Sequence, residues 1–139
     1  MRGRDRSKRN RMSCVLIAGL DHDFPEGARG LLATAFETVT MAADEASLIE
    51  GAGRLRPDVA IVDLLLSKGG GLGWLGAVRQ RCPGLKVIVL GANEDQAMRR
   101  AAIEAGVDAF VLRERIATDL LPAVSRVWGV PGGSLRGQR

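Results

Sequence analysis

Short apolar runs alternate along the chain with longer segments in which apolar residues recur at helical spacing. The apolar runs predict five strands, at residues 14–20, 38–42, 59–65, 86–90 and 109–112. The segments beside them predict five helices, at residues 26–35, 45–55, 72–81, 94–105 and 116–128. Strands that are apolar throughout are typical of a parallel sheet covered on both faces. The pattern therefore predicts an α/β fold, a doubly wound (βα)5 unit with a five-stranded parallel sheet.

Boundary residues support this division of the chain. Asp44 is placed to cap the second helix, Gly106 to end the fourth, and residues 56–58 to form a short loop into the third strand. Right-handed crossovers put the functional end of such a fold at the carboxyl edge of its strands.

The length of 139 residues suits one domain with its own core. We assign residues 13–128 to this domain, residues 1–12 to a disordered basic arm, and residues 129–139 to a flexible tail or linker. No run approaches the ~20 apolar residues of a membrane span. The run after the arm meets Asp21 and Asp23, where a signal peptide needs small residues. We therefore expect a cytoplasmic protein without a membrane partner.

Charge is unevenly distributed along the chain. The arm carries +5 and the end of the tail +2, so the body between them carries −3 of the formal +4. The arm has no aromatic residues that could serve as stacking platforms for bases. Nucleic-acid binding by this domain is therefore not indicated, and would be expected only of a downstream domain. Cys14, Cys82 and the single His22 fit neither a disulfide framework nor a zinc site, so we expect buried thiols.

A carboxylate ends the central apolar run, where Asp63 directly follows residues 59–62. Alone, such an aspartate more often forms a turn or a cap. Its surroundings, however, resemble the receiver domains of two-component response regulators, especially those attached to LuxR-type DNA-binding domains. The stretches that carry the resemblance are residues 56–64 (RPDVAIVDL), 71–72 (GL), 86–90 (KVIVL) and 105–112 (AGVDAFVL). The resemblance runs without gaps over about residues 14–128, and it implies a flavodoxin-like receiver fold with Asp63 as the phosphoacceptor.

The resemblance also implies a phosphoryl site from which this chain departs. The family holds Mg²⁺ with an acidic pair after the first strand, and it contacts the phosphoryl group with a hydroxyl after the fourth strand and a lysine after the fifth. The acidic pair falls here on Gly19 and Leu20. The hydroxyl falls on Gly91 and the lysine on Arg113, which remain the candidates for phosphoryl contact. Arg113 keeps the charge, but its planar fork is not equivalent to an ammonium.

Two interpretations of the metal site remain open. As aligned, Asp63 has too few carboxylate neighbours, and Mg²⁺ should bind weakly. Alternatively, a shift of the first loop brings Asp21 or Asp23 to the metal beside Asp63, although capping of the first helix also explains these two residues. If the losses are local, restoring the family's residues at the four altered positions should raise phosphorylation stepwise.

The leading functional interpretation is an atypical receiver module that acts mainly through protein–protein contact, with weak or absent Mg²⁺-dependent phosphorylation. The alternative is a phosphoryl-accepting receiver that uses Asp63, and neither is an enzyme in the ordinary sense. The implied partners are a sensor histidine kinase or another signalling protein, and a second copy of the chain. Phe110 occupies the family's switch-aromatic position, and without a hydroxyl at Gly91 we expect it in one fixed rotamer, with the output face constantly presented.

A literal G-x-G-x-x-G at residues 71–76 gives a remote third interpretation, a nucleotide-binding domain. The placement is unfavourable because residues 67–70 separate the motif from its strand and too little chain follows it. We interpret these glycines as a pliable loop beside Asp63.

Overall fold

The computed structural model describes residues 12–19, 26–66, 71–92 and 96–128, which form a sheet between two helical layers. The strands are β1 (Met12–Ala18), β2 (Phe36–Ala42), β3 (Val59–Asp63), β4 (Lys86–Gly91) and β5 (Ala109–Leu112). The helices are α1 (Glu26–Ala35), α2 (Glu45–Leu55), α3 (Trp74–Arg81), α4 (Gln96–Ala105) and α5 (Ile116–Trp128). Short 3-10 turns, Leu64–Leu66 and Arg113–Arg115, follow β3 and β5.

All strand pairs are parallel, and the strand order is β2-β1-β3-β4-β5. The predicted doubly wound (βα)5 sheet is therefore confirmed. β3 lies at the centre, with β1 on one side and β4 on the other, so the end of β3 is flanked by the ends of both neighbours. Such a point between strands that lead to opposite faces is where open α/β sheets place their ligands.

Alternation along the strands explains why they are apolar throughout. Val15 and Ile17 of β1 face the layer that contains α1 and α5, whereas Leu16 and Ala18 face the layer that contains α2 and α3. Each central strand thus contributes alternate side chains to two separate buried clusters. This arrangement is expected when helices cover both faces of a sheet.

The predicted element boundaries were wrong at several points in the first half of the chain. β1 is Met12–Ala18 instead of residues 14–20, because Gly19 leaves the strand with a φ of +86°. β1 begins at Met12, the last residue of the predicted arm. Leu20, predicted as the last residue of the strand, lies outside the described residues. β2 begins at Phe36 instead of residue 38, directly after α1. The Phe36 side chain is fully buried in the core cluster under α1 and α5.

Other boundaries differ around the candidate site. β3 ends at Asp63 instead of residue 65, because the chain turns into the Leu64–Leu66 3-10 segment. β4 extends one residue further than predicted, to Gly91. α3 begins at Trp74 instead of residue 72. The predicted start of α4 at residue 94, the arm up to residue 11 and the tail from residue 129 lie outside the described residues.

The predicted start of α2 at Asp44 and the predicted end of α4 at Gly106 are confirmed. Asp44 caps α2, with its Oδ1 accepting a hydrogen bond of 2.8 Å from the Ser47 N–H. This bond lowers the pKa of Asp44 below its ordinary value. Gly106 follows α4 with a φ of +101°, a left-handed conformation that glycine adopts without strain.

Two aspartates fasten the amino edge of the sheet. Asp58, just before β3, accepts hydrogen bonds from the backbone N–H groups of Ser13 (2.7 Å) and Cys14 (3.3 Å). Asp108, just before β5, accepts one of 2.8 Å from the Val87 N–H and also pairs with Arg79 at 3.2 Å. These bonds join neighbouring strands where their backbone ladder begins.

Both cysteines are buried free thiols, as predicted. Burial, together with the negative charge of Asp58, raises the pKa of Cys14. Within the described part of the chain, the longest apolar helix falls short of what a bilayer crossing requires.

Candidate functional site

Four of the residues singled out from the sequence lie at the carboxyl edge of the sheet. Asp63 is the last residue of β3, Gly91 is the last residue of β4, Gly19 follows β1 and Arg113 follows β5. Because β1, β3, β4 and β5 are adjacent and parallel, their ends meet at this edge. The topology thus brings together positions that are up to 94 residues apart in the chain.

The centre of this site is a bidentate pair between Asp63 and Arg113. Arg113 Nε donates to Asp63 Oδ2 at 2.7 Å, and Arg113 Nη2 donates to Asp63 Oδ1 at 2.8 Å. The Leu65 N–H donates a third hydrogen bond, 2.8 Å, to Asp63 Oδ1. The Asp63 side chain is 1% exposed, whereas that of Arg113 is 28% exposed. Arg113 therefore covers the carboxylate from the solvent side.

This geometry assigns Arg113 a contact that the sequence did not predict. The sequence identified Arg113 as a candidate for phosphoryl contact, and the structure places its guanidinium on the phosphoacceptor candidate itself. A guanidinium remains charged at any physiological pH and its fork matches the two carboxylate oxygens. The guanidinium of Arg113 therefore engages both oxygens of the Asp63 carboxylate.

The backbone conformation at Gly19, one of the two positions predicted for the acidic pair, favours glycine. Its φ of +86° lies in the left-handed region, where an L side chain is strained. A Cβ at this position would lie 3.2 Å from Leu66 Cβ and 3.4 Å from Asp63 Cβ. The other candidate ligands, Asp21 and Asp23, lie outside the described residues.

Gly91, at the predicted hydroxyl position, is covered by the ring of Phe110. A Cβ at Gly91 would clash with Phe110 Cζ and would lie 3.2 Å from Leu64 Cδ1. The guanidinium carbon of Arg99 lies over the same ring, 5.5 Å from its centroid. Phe110 thus contacts both Gly91 and Arg99 and packs against the core cluster under α2, α3 and α4.

Restoring the family's residues at Gly19 and Gly91 affects neighbouring residues, so the condition of a purely local loss is not met at these two positions. An aspartate at Gly19 would have to adopt a positive φ, and a threonine at Gly91 would have to move the Phe110 ring. Arg113 is already engaged with Asp63. At Gly19 and Gly91 the restored side chain requires its neighbours to shift.

The described residues do not by themselves fit a magnesium ion. Among them, no three carboxylate, histidine or cysteine side chains lie close enough together to hold a metal ion. Asp63 is one carboxylate, and both of its oxygens already accept charged hydrogen bonds. Mg²⁺ requires an octahedral set of oxygen ligands.

The glycine motif at residues 71–76 lacks the geometry of a dinucleotide fingerprint. In that fingerprint the glycines allow close approach of the backbone to a ligand and to the sheet. Here a Cβ at Gly71, Gly73 or Gly76 would meet no atom within 4 Å among the described residues. The third glycine lies inside α3, where it packs against nothing that requires its small size.

Two residues near the site were missed from the sequence. Arg99 contacts Phe110 from α4, and only the spatial proximity of α4 to β5 brings the two together. Leu65, two residues after Asp63, is 68% exposed, the highest among the large apolar residues described. The run of leucines at residues 64–66 predicted that β3 would extend to residue 65. The structure has a 3-10 turn there, and the turn exposes the Leu65 side chain.

Comparison with known proteins identifies relatives over most of the chain. The family model described as "Response regulator receiver domain" matches residues 15–125. The transcriptional regulatory protein DegU of Brevibacillus brevis is 31% identical over 121 residues, which cover 85% of this chain and 50% of that protein. The nitrate/nitrite response regulator protein NarP of Escherichia coli is 34% identical over 88 residues, 63% of this chain and 41% of that protein.

Solved structures show the same likeness. The RcsB response regulator of Salmonella typhimurium, in a structure that concerns its DNA interaction, has a TM-score of 0.70 and is 28% identical. The match covers 85% of this chain and 60% of that one. The chain thus spans half or less of the length of the two curated relatives named above.

Proposed function

Since the chain belongs to the response regulator receiver family of two-component signalling, we propose that it is an atypical receiver. It acts mainly through contact with other proteins, and it accepts a phosphoryl group at Asp63 slowly or not at all. The observation that carries this proposal is the bidentate pair between Asp63 and Arg113. Family membership supports the signalling role, and the pair supports the atypical mechanism.

The pair opposes phosphorylation in two ways. A carboxylate attacks a phosphoryl group with an oxygen lone pair, and the lone pairs of Asp63 accept three hydrogen bonds at 2.7–2.8 Å. Transfer also needs a cation that neutralises the incoming phosphoryl oxygens. The Arg113 guanidinium supplies charge at this place, but it is bound to the nucleophile and covers it. Removing Arg113 from the buried carboxylate costs free energy before any reaction begins.

The packing of Phe110 supports a fixed output face. In the family a hydroxyl at the Gly91 position reports phosphorylation by moving, and this chain has no side chain there. The Phe110 ring instead fills the space beside Gly91, and the Arg99 guanidinium lies over the ring. We propose that this arrangement presents the surface formed by α4, β5 and α5 in one state.

Partners are proposed from the relatives. DegU is named a transcriptional regulatory protein, and the RcsB structure concerns interaction with DNA. We propose that this domain contributes to such regulation by binding a sensor histidine kinase or another signalling protein in the cytoplasm. Direct DNA binding by the domain is not proposed, because residues 12–135 carry a net charge of −3.

Titration with Mg²⁺, followed by tryptophan fluorescence, tests this proposal. Trp74 is buried in the same core cluster as Leu64, the neighbour of Asp63, and a Trp128→Phe background leaves Trp74 as the single reporter. We expect no saturable change in the millimolar range. In Arg113→Ala both Asp63 oxygens are released, but no further carboxylate of the described residues joins them, so we expect only a weak change at higher Mg²⁺ concentration. Asp63→Asn is the control in both backgrounds.

One result would favour the alternative interpretation. Saturable Mg²⁺ binding by the chain with native Arg113, lost in Asp63→Asn and in either Asp21→Asn or Asp23→Asn, would show that the first loop supplies the metal ligand. This result would favour the alternative, a phosphoryl-accepting receiver that uses Asp63 with Asp21 or Asp23 as metal ligand.

A further inference from the structure

A polar cavity lies between α4, β5 and α5, apart from the site at Asp63. Its volume is about 370 Å³, and neither Asp63 nor Arg113 lines it. Arginines from three elements meet there: Arg99 from α4, Arg115 from the turn after β5, and Arg126 from α5. The floor is residues 110–112 of β5, which is the last strand of the sheet and has no strand neighbour on its outer side among the described residues.

Positive charge exceeds negative charge in this cavity. Asp119 is the one carboxylate among its lining residues, and it pairs with Arg115 at 3.0 Å. The hydrogen bond from Arg115 lowers the pKa of Asp119, so this carboxylate is ionised at neutral pH. Within the ranges that the structure describes, Arg99 and Arg126 form no ion pair. Three guanidinium groups therefore share one carboxylate, on a body whose net charge is negative.

The arrangement suits recognition of an anion with more than one charge. Guanidinium groups bind carboxylates and phosphates through paired hydrogen bonds, and convergent arginines on separate elements can engage several oxygens of one ligand. Contact with the Phe110 ring holds Arg99 at the wall of the cavity, which reduces the entropy that binding costs. A monovalent anion would leave half of the cavity's net charge of +2 unmatched.

We infer that this cavity is a binding site for a small multivalent anion, either a phosphorylated compound or a polycarboxylate. The inference does not depend on the chemistry of Asp63. It goes beyond the proposed function because it gives the domain a second kind of input. A ligand that engages Arg99 changes the contact that holds Phe110, and it does so on the face proposed to meet partners.

The test is an amide NMR titration of the full ¹⁵N-labelled chain at constant ionic strength. Tripolyphosphate and citrate are the two probes, and acetate is the monovalent control. The double variant Arg99→Gln/Arg126→Gln removes two charges from the cavity. Arg29→Gln/Arg54→Gln is its match, since it removes the same charge from exposed positions on α1 and α2. The basic arm is common to all three proteins, so its own affinity for polyanions cancels in the comparison.

We expect saturable shifts of the amides of residues 110–112 with tripolyphosphate, citrate or both, and little response to acetate. The affinity should fall at least about tenfold in the cavity variant and stay within about twofold in the matched variant. A preference for tripolyphosphate assigns a phosphoryl ligand, and a preference for citrate assigns a polycarboxylate. Shifts confined to the arm, or equal affinities of the two variants, would refute the site. Neither result bears on whether Asp63 is phosphorylated.

Discussion

Arg79 pairs with Asp108 at the amino edge of the sheet, whereas Arg113 pairs with Asp63 at the carboxyl edge. Arg79 also donates to the backbone carbonyls of Leu85 (3.3 Å) and Gly106 (2.8 Å), so it ties α3 to the starts of β4 and β5. Asp108 is bound to a backbone N–H of β4 as well. Each member of this pair therefore keeps hydrogen-bond partners when the other is removed.

The pair at the carboxyl edge is built differently. Asp63 is almost completely buried and depends on Arg113 for two of its three hydrogen bonds. The same residue types thus join strands at one end of the sheet and, at the other, cover the candidate phosphoacceptor. The difference lies in burial and in the alternative partners, and it can be measured.

Arg113→Ala should have the largest effect on stability, because it leaves a buried carboxylate without its counter-charge. We expect a loss of about 3 kcal/mol in the free energy of unfolding by urea. Adding Asp63→Asn should recover a substantial part of that loss, since the uncompensated charge is then gone. Arg79→Ala should cost about 1–3 kcal/mol, and adding Asp108→Asn should recover little. Equal recovery at both edges would remove the distinction between the two pairs.

Gly91→Ala should come next, because the added Cβ meets the Phe110 ring. We expect a loss of about 1–3 kcal/mol in urea unfolding, as for overpacking of a core. Gly84→Ala is the matched control at the amino edge, where the added Cβ meets nothing within 4 Å among the described residues, and it should stay within about 0.5 kcal/mol. Phe110→Leu should relieve the Gly91→Ala variant. Unchanged stability of Gly91→Ala would mean that the ring moves freely.

Asp44→Ala should have a smaller effect, and one that depends on pH. The pKa of Asp44 is lowered in the folded chain by its bond to the Ser47 N–H, so the ionised cap stabilises the fold. This contribution is complete above the ordinary aspartate pKa and is lost as the pH falls through the lowered value. The difference in Tm between wild type and Asp44→Ala should therefore be larger at pH 7 than at acidic pH. A difference independent of pH would contradict the assignment.

The sequence was informative about the sheet because its strands are buried on both faces. Runs such as residues 59–62 and 86–90 could be placed without knowledge of their partners. The boundaries failed where local geometry decides, as at Gly19, whose positive φ ends β1, and at Phe36, which joins the core directly after α1.

The position of Asp63 could be predicted, because it directly follows the apolar run of residues 59–62 in a stretch that resembles the receiver family. Its pairing with Arg113 could not, since the two residues are 50 positions apart and the direction of the arginine depends on the turn after β5. The fastenings made by Asp58 and Asp108 were missed for a related reason. An aspartate before a strand looks like a loop residue until the neighbouring backbone N–H is known.

Phosphorylation by acetyl phosphate in the presence of Mg²⁺ tests most directly whether Arg113 keeps Asp63 from reacting. The covalent adduct is measured over time by intact-protein mass spectrometry, on the wild-type chain and on Asp63→Asn. The expected result is slow or undetectable labelling of the wild type, with any label absent from Asp63→Asn. Rapid, Mg²⁺-dependent labelling of the wild type that Asp63→Asn abolishes would contradict it, because the carboxylate would then be available despite its pair with Arg113.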